Sequence, residues 1–134
     1  MNWEQARLAI SGAFITAWSA AHSTVPYYFK GKKLPDLKQV SSPFIKVRIY
    51  PMKTEQSGLM GSTPPKRRHG RVVFEIFSPD TTGDSVLFGM LATLEANFSA
   101  TSVSGVVFRN LVPSDPIPGV GWENRPIQSF FYFD

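Results

Sequence analysis

Two short runs constrain this chain more than anything else in it: Phe44 to Tyr50 (FIKVRIY) and Arg71 to Phe77 (RVVFEIF). Both are rich in β-branched and aromatic residues and are bounded by Pro43, Pro51, Gly70 and Pro79, as strands usually are. Ile45, Val47 and Ile49 alternate with Phe44, Lys46, Arg48 and Tyr50, and Val72, Phe74 and Ile76 alternate with Arg71, Val73, Glu75 and Phe77. A period of two with one apolar side predicts a strand that buries one face. The pair reads as a long antiparallel hairpin over a common core, with Met52 to His69 projecting as its tip.

The flanking segments supply partners for that hairpin. From Asn2 to about Ala21, Trp3, Ala6, Ile10, Ala13, Phe14, Ala17 and Trp18 recur at three and four residues, which predicts an amphipathic helix. Leu8 and Ile15 fall off its apolar side and are expected at a flank or against a neighbouring subunit. Thr24 to Phe29 reads as a short edge strand, where Pro26 is tolerated. The turn SPDTTGDS precedes a second helix, Ser85 to Phe98, with Leu87, Met90, Leu91, Leu94 and Phe98 on one side. Thr81 and Asp84 have capping-box spacing, and Asp80 and Asp84 suit the positive end of a helix dipole. Gly105 to Val112 and Pro126 to Phe133 read as two closing strands joined by the loop Pro113 to Arg125. The result is one α+β domain over residues 1–134, in the order α-β-β-β-α-β-β. Its two helices lie on one face of a mainly antiparallel sheet of four to five strands.

At 134 residues a single domain buries roughly two-thirds of its unfolded surface. There is no cysteine, so disulfide and thiolate chemistry are excluded. His22 and His69 are the only histidines and have no companion ligands at metal spacing. Nucleophile elbow, P-loop, dinucleotide fingerprint and catalytic triad patterns are missing, and Gly119-Val120-Gly121 reads as a turn. His22 is expected at a helix end, as a dipole partner or in solvent. Neither enzyme activity nor a cofactor or metal is expected. A secretory leader is disfavoured because Glu4 and Arg7 cancel ahead of the apolar run, and that run is short of the roughly 20 residues a bilayer span requires.

Charge is unevenly placed. Lys30 to Arg71 holds eleven basic and two acidic residues, whereas the rest holds three arginines and eight acids, within a net +4. Such a chain suits an anionic partner or a copy of itself met head to tail. The densest cluster lies in and beside the tip: Lys53, Lys66, Arg67, Arg68, His69 and Arg71. It reads either as a surface for DNA phosphates or acidic protein, or as a solvated turn that keeps the hairpin from aggregating. In the last strand Phe130 and Tyr132 share one side, while Ile127, Phe131 and Phe133 share the other. A strand apolar on both sides calls for cover on both, which points to oligomerisation.

Five stretches together resemble a known group. They are the helix ending near Ile15-Thr16-Ala17-Trp18, the strand Pro43 to Ile49, the stretch Arg68-His69-Gly70-Arg71 running to Phe77, the turn Pro79 to Gly83, and the aromatic last strand before Asp134. The pattern is similar to the small tail terminator proteins of long-tailed bacteriophages. That resemblance implies a virion protein, assembled in the host cytoplasm and residing at the neck-proximal end of the tail. It implies a homo-hexameric ring that caps the tail tube protein, ends tube polymerisation and receives a head-completion or stopper protein. DNA passes the lumen without sequence-specific binding, and no membrane is involved. Docking on a ring partner is expected to order the 52–69 tip. The alternatives are a neck, stopper-type or tube-like ring protein and, from another class, a small basic nucleic-acid-binding module.

Overall fold

A computed structural model describes residues 1–39, 41–56 and 66–134. Among these residues are two α-helices, a 3-10 turn at Leu37–Gln39 and a mixed seven-stranded sheet, an α+β fold. Helix α1 spans Trp3–Ala21, strand β1 Tyr27–Tyr28, β2 Phe44–Gln56, β3 Lys66–Pro79 and α2 Asp84–Phe98. The chain continues with β4 Ser102–Val103, β5 Val106–Pro113, β6 Ile117–Pro118 and β7 Trp122–Phe133. The sheet order is β1-β2-β3-β7-β5-β4, with β6 beside β7. Among the described strands only β1 runs parallel to its neighbour. The strand count exceeds the four to five expected because β1, β4 and β6 are two-residue pieces, too short to carry a hydrophobic period.

α1 starts where Asn2 caps it. The Asn2 side chain accepts from the Gln5 backbone N–H at 2.8 Å, and the Gln5 side chain accepts from the Asn2 N–H at 2.9 Å. This reciprocal pair contributes about 1 kcal/mol. α2 differs from expectation. Its N-cap is Gly83, with no side-chain cap bond, so the Thr81–Asp84 box does not form; Asp84 still lies in the first turn, facing the dipole. His22 also departs from the solvated or dipole role. Its ring packs on Trp18 at 4.5 Å, and its Nε2 lies 2.8 Å from the Thr93 hydroxyl.

Both helices lie over the same sheet face. Ala6, Ile10, Phe14 and Trp18 of α1 and Leu87, Met90, Leu94 and Phe98 of α2 join Ile45, Val47, Val72, Phe74, Ile76, Val106, Phe108, Ile127, Phe131 and Phe133 in one core. Its centre is aromatic: Phe14 stacks on Trp18 at 5.3 Å and on Phe74 at 5.8 Å, and Phe98 meets Phe74 at 5.0 Å and Phe108 at 5.1 Å. Strand parity decides which side chains enter. Phe44 and Phe77, one position out of phase, stack at 4.8 Å on the opposite face, between Tyr28 and Trp122.

The hairpin forms and is longer than the two runs that announced it. Pairing continues past a register shift at Pro51/Lys53 to Gln56 opposite Lys66, so Met52–Gln56 and Lys66–His69 are strand rather than loop. Polar residues hide this extension, because an exposed strand has no apolar period to read. The middle of the tip, residues 57–65, lies outside the described residues, as does its expected ordering on a partner. Gly70 marks the join. A Cβ there would fall 2.5 Å from Phe131 Cζ and 3.0 Å from the Tyr50 carbonyl oxygen.

Candidate interaction surface

Strand parity divides the basic cluster between two faces. Arg67, His69 and Arg71 alternate onto the sheet face that carries no helix, and Lys53, directly opposite His69, shares that face. Lys66 and Arg68 fall on the other side. There the Arg68 guanidinium donates to the Met1 carbonyl at 3.3 Å and lies 5.8 Å from the Phe133 ring centroid. The six residues are therefore not one patch.

On the open face the cations are largely matched. Lys53 pairs with Glu55 at 2.6 Å, and the His69 ring lies 3.1 Å from the other Glu55 oxygen. Arg67 makes two bonds to the Asp134 carboxylate, at 2.8 and 3.1 Å. Hydrogen bonding from Lys53 holds the Glu55 carboxyl below its ordinary range, and Arg67 does the same to Asp134. Arg71 instead donates to Gln128 at 3.3 Å and lies 5.1 Å from the Tyr50 ring. Such matching weakens the phosphate-binding reading, because each paired cation must give up a carboxylate to take a phosphate.

Register adds residues that sequence reasoning did not select. Tyr132 lies directly opposite His69, and its ring carries Arg67 at 4.3 Å and Arg109 at 5.3 Å. Tyr50, Arg71 and Phe130 form the next row across β2, β3 and β7. The open face is thus a half-buried ladder of aromatic rings overlaid by guanidinium groups, the composition enriched at the centres of protein interfaces. The parity of Phe130 and Tyr132 had indicated the rings. Their partners depended on strand order, which a single sequence does not state.

Beyond β1, which pairs only with Ile45 and Lys46, no described strand covers the outer edge of β2. The Arg48 guanidinium folds back across part of it, donating to the Tyr28 carbonyl at 3.0 Å and to its neighbour Val47 at 2.8 Å. Between this edge and α1 runs a groove of about 440 Å³ lined by Arg7, Ser11, Phe29, Lys30 and the segment Val47–Pro51. At the sheet's far side, β6 and the turn after it project as a short arm. Among the described residues no group of three or more metal-ligating side chains occurs, and no helix is long and apolar enough to cross a membrane.

No family model matches this chain, and no curated protein matches it significantly. A protein of known structure, whose name carries no activity, superposes with a TM-score of 0.73 over 100% of this chain and 96% of its own length, at 16% sequence identity. The likeness is one of fold: two helices with a curled mixed sheet, α+β.

Proposed function

We propose that this chain is a structural ring subunit of the tail terminator type, located at the neck-proximal end of a phage tail. Copies of it close a homo-hexameric ring on the last ring of tail tube protein, stop polymerisation and offer the opposite face to a head-completion or stopper protein. DNA crosses the lumen without sequence-specific contact. The observation that carries this reading is where one copy leaves large apolar side chains. Leu8 and Ile15 are exposed on α1, Val86 and Phe88 on α2, and Ile117 and Val120 on the arm. They occur on both helices of the helix layer and on the β6 arm, more exposed apolar surface than a subunit without neighbours needs, and they do not surround one pocket. The sequence resemblance supplies the identity of the assembly.

Electron microscopy of tails made with and without this protein tests the reading. Overlong tubes in its absence are expected; headless tails of normal length would instead make it a neck or stopper component. A second reading, a nucleic-acid-binding module, draws support from Arg71 and Arg109, which lie over tyrosine rings rather than against carboxylates. It requires DNA affinity in free solution that falls steeply with salt, whereas a terminator associates with tubes.

A further inference from the structure

We infer that the arm Pro113–Trp122 of one copy docks into the β2-edge groove of the next. This deepens the ring reading by naming the two surfaces that meet, and rests on it only for closure of the ring. The arm is built to be presented. Ile117 and Pro118 pair with Asn124 and Glu123, and the Gly119 N–H donates to the Trp122 carbonyl at 2.8 Å. The Trp122 ring fills the space a Cβ on Gly119 would occupy, Gly121 has φ +78°, and its carbonyl accepts from Asp80 at 3.1 Å. Pro113, Pro116 and Pro118 stiffen the approach. A segment so fixed loses little conformational freedom when it binds. At its apex Val120 is 98% exposed and Ile117 is 53% exposed, an unusual expenditure of apolar surface on an ordered turn.

Charge supports the pairing. The arm carries Asp115, with Glu123 directly after it and Asp80 bonded to Gly121 beside it, against Arg125, which lies 3.7 Å from Glu123. The groove is lined by Arg7, Lys30 and Arg48 around Phe29, Val47 and Ile49, and the Arg7 guanidinium donates to Glu4 at 2.6 and 2.8 Å. An acidic, apolar-tipped arm and a basic, apolar-floored groove complement each other. β2 and β6 lie on opposite sides of the central strands β3 and β7, so each copy offers one surface to either neighbour. Contacts of this heterologous kind propagate head to tail and close when the rotation per copy permits.

The natural absence of cysteine makes the test direct. Val120→Cys and Ser11→Cys chains are mixed and treated with a short bismaleimide. The expected product is a mixed dimer, with a ladder from a chain carrying both substitutions and no product from Val120→Cys with Phe88→Cys. Val120→Asp, judged folded by circular dichroism, should weaken self-association at least tenfold by sedimentation; Lys30→Glu should do the same and be rescued by Asp115→Lys. A monomer at every concentration, or Val120→Cys linking to itself as readily as to Ser11→Cys, would overturn the interface. Normal capping by Val120→Asp would also overturn it while leaving the terminator reading intact. Linked rings that cap no tubes would sink the terminator reading and leave the interface standing.

Discussion

The β2–β3 hairpin contains two halves held by different physics. From Phe44 to Tyr50 and from Arg71 to Phe77 it lies on the aromatic core, with Ile45, Val47, Val72, Phe74 and Ile76 at 1% exposure or less. Beyond Pro51 and Gly70, from Met52 to Gln56 and from Lys66 to His69, backbone pairing continues, but the side chains are Lys53–Glu55, His69–Glu55 and Arg67–Asp134 pairs on an exposed surface. Burial of a full side chain contributes about 1.5–3 kcal/mol, whereas an exposed ion pair contributes about 0–1 kcal/mol. One ladder therefore carries a half sealed by the core and a half held mainly by surface pairs, with Arg68 and His69 tied in addition to Phe133 and Tyr132 of β7.

Truncating the half sealed by the core should produce the largest effect. Phe74 is fully buried against Phe14 and Phe98, and Phe74→Ala is expected to cost about 3–5 kcal/mol in denaturant unfolding. A loss under about 1 kcal/mol would mean that the two halves are not distinguished by the core. Gly70→Ala acts at the join, pressing a methyl onto Phe131 and the Tyr50 carbonyl, and should cost about 1–3 kcal/mol. If overpacking is the cause, Phe131→Leu in the Gly70→Ala background recovers part of that loss.

What the sequence revealed follows the same division. Core-facing strands and both helices were legible because burial imposes a period, and Ile10, Phe14, Leu94 and Phe98 lie where their spacing placed them. The outer half of the hairpin was read as loop, since Lys53, Thr54, Glu55 and Lys66–His69 show no such period. Of the candidate surface, the basic residues were visible and their neutralisation was not. Asp134 reaches Arg67 across 67 residues of chain, through a β3–β7 register that no local pattern encodes. The capping box at Thr81 and Asp84 failed for a related reason: its spacing was present, but α2 begins at Asp84, leaving Gly83 as the cap.

pH separates the core from the exposed charges by window. Burial holds the His22 imidazole below its ordinary value, so as pH falls through about 6.5 the unfolded chain takes up protons that the folded chain resists. Stability should therefore decline from pH 7 towards pH 5, with no contribution from this group at higher pH, where it is neutral in both states. The decline should be smaller than either substitution above produces. Urea midpoints that fall equally in His22→Gln over this range would assign the loss elsewhere. Glu55 and Asp134, both lowered by their cation partners, act in a separate window: their contribution is present above the ordinary carboxylate range and is lost as pH falls through it.

The smallest effect probes the outer half itself. Arg67→Ala removes the paired bonds to Asp134 and the guanidinium over Tyr132, all at the surface. The global unfolding midpoint should stay within measurement error, because the bonds that are lost lie at the surface, outside the core. Amide exchange is expected to respond where stability does not. Protection at Lys66 and Arg67 should fall a few-fold, while Val72 to Ile76 keeps its protection. A uniform rise in exchange along the whole of β3 would show that the hairpin opens as a single unit, and would remove the physical distinction between its halves.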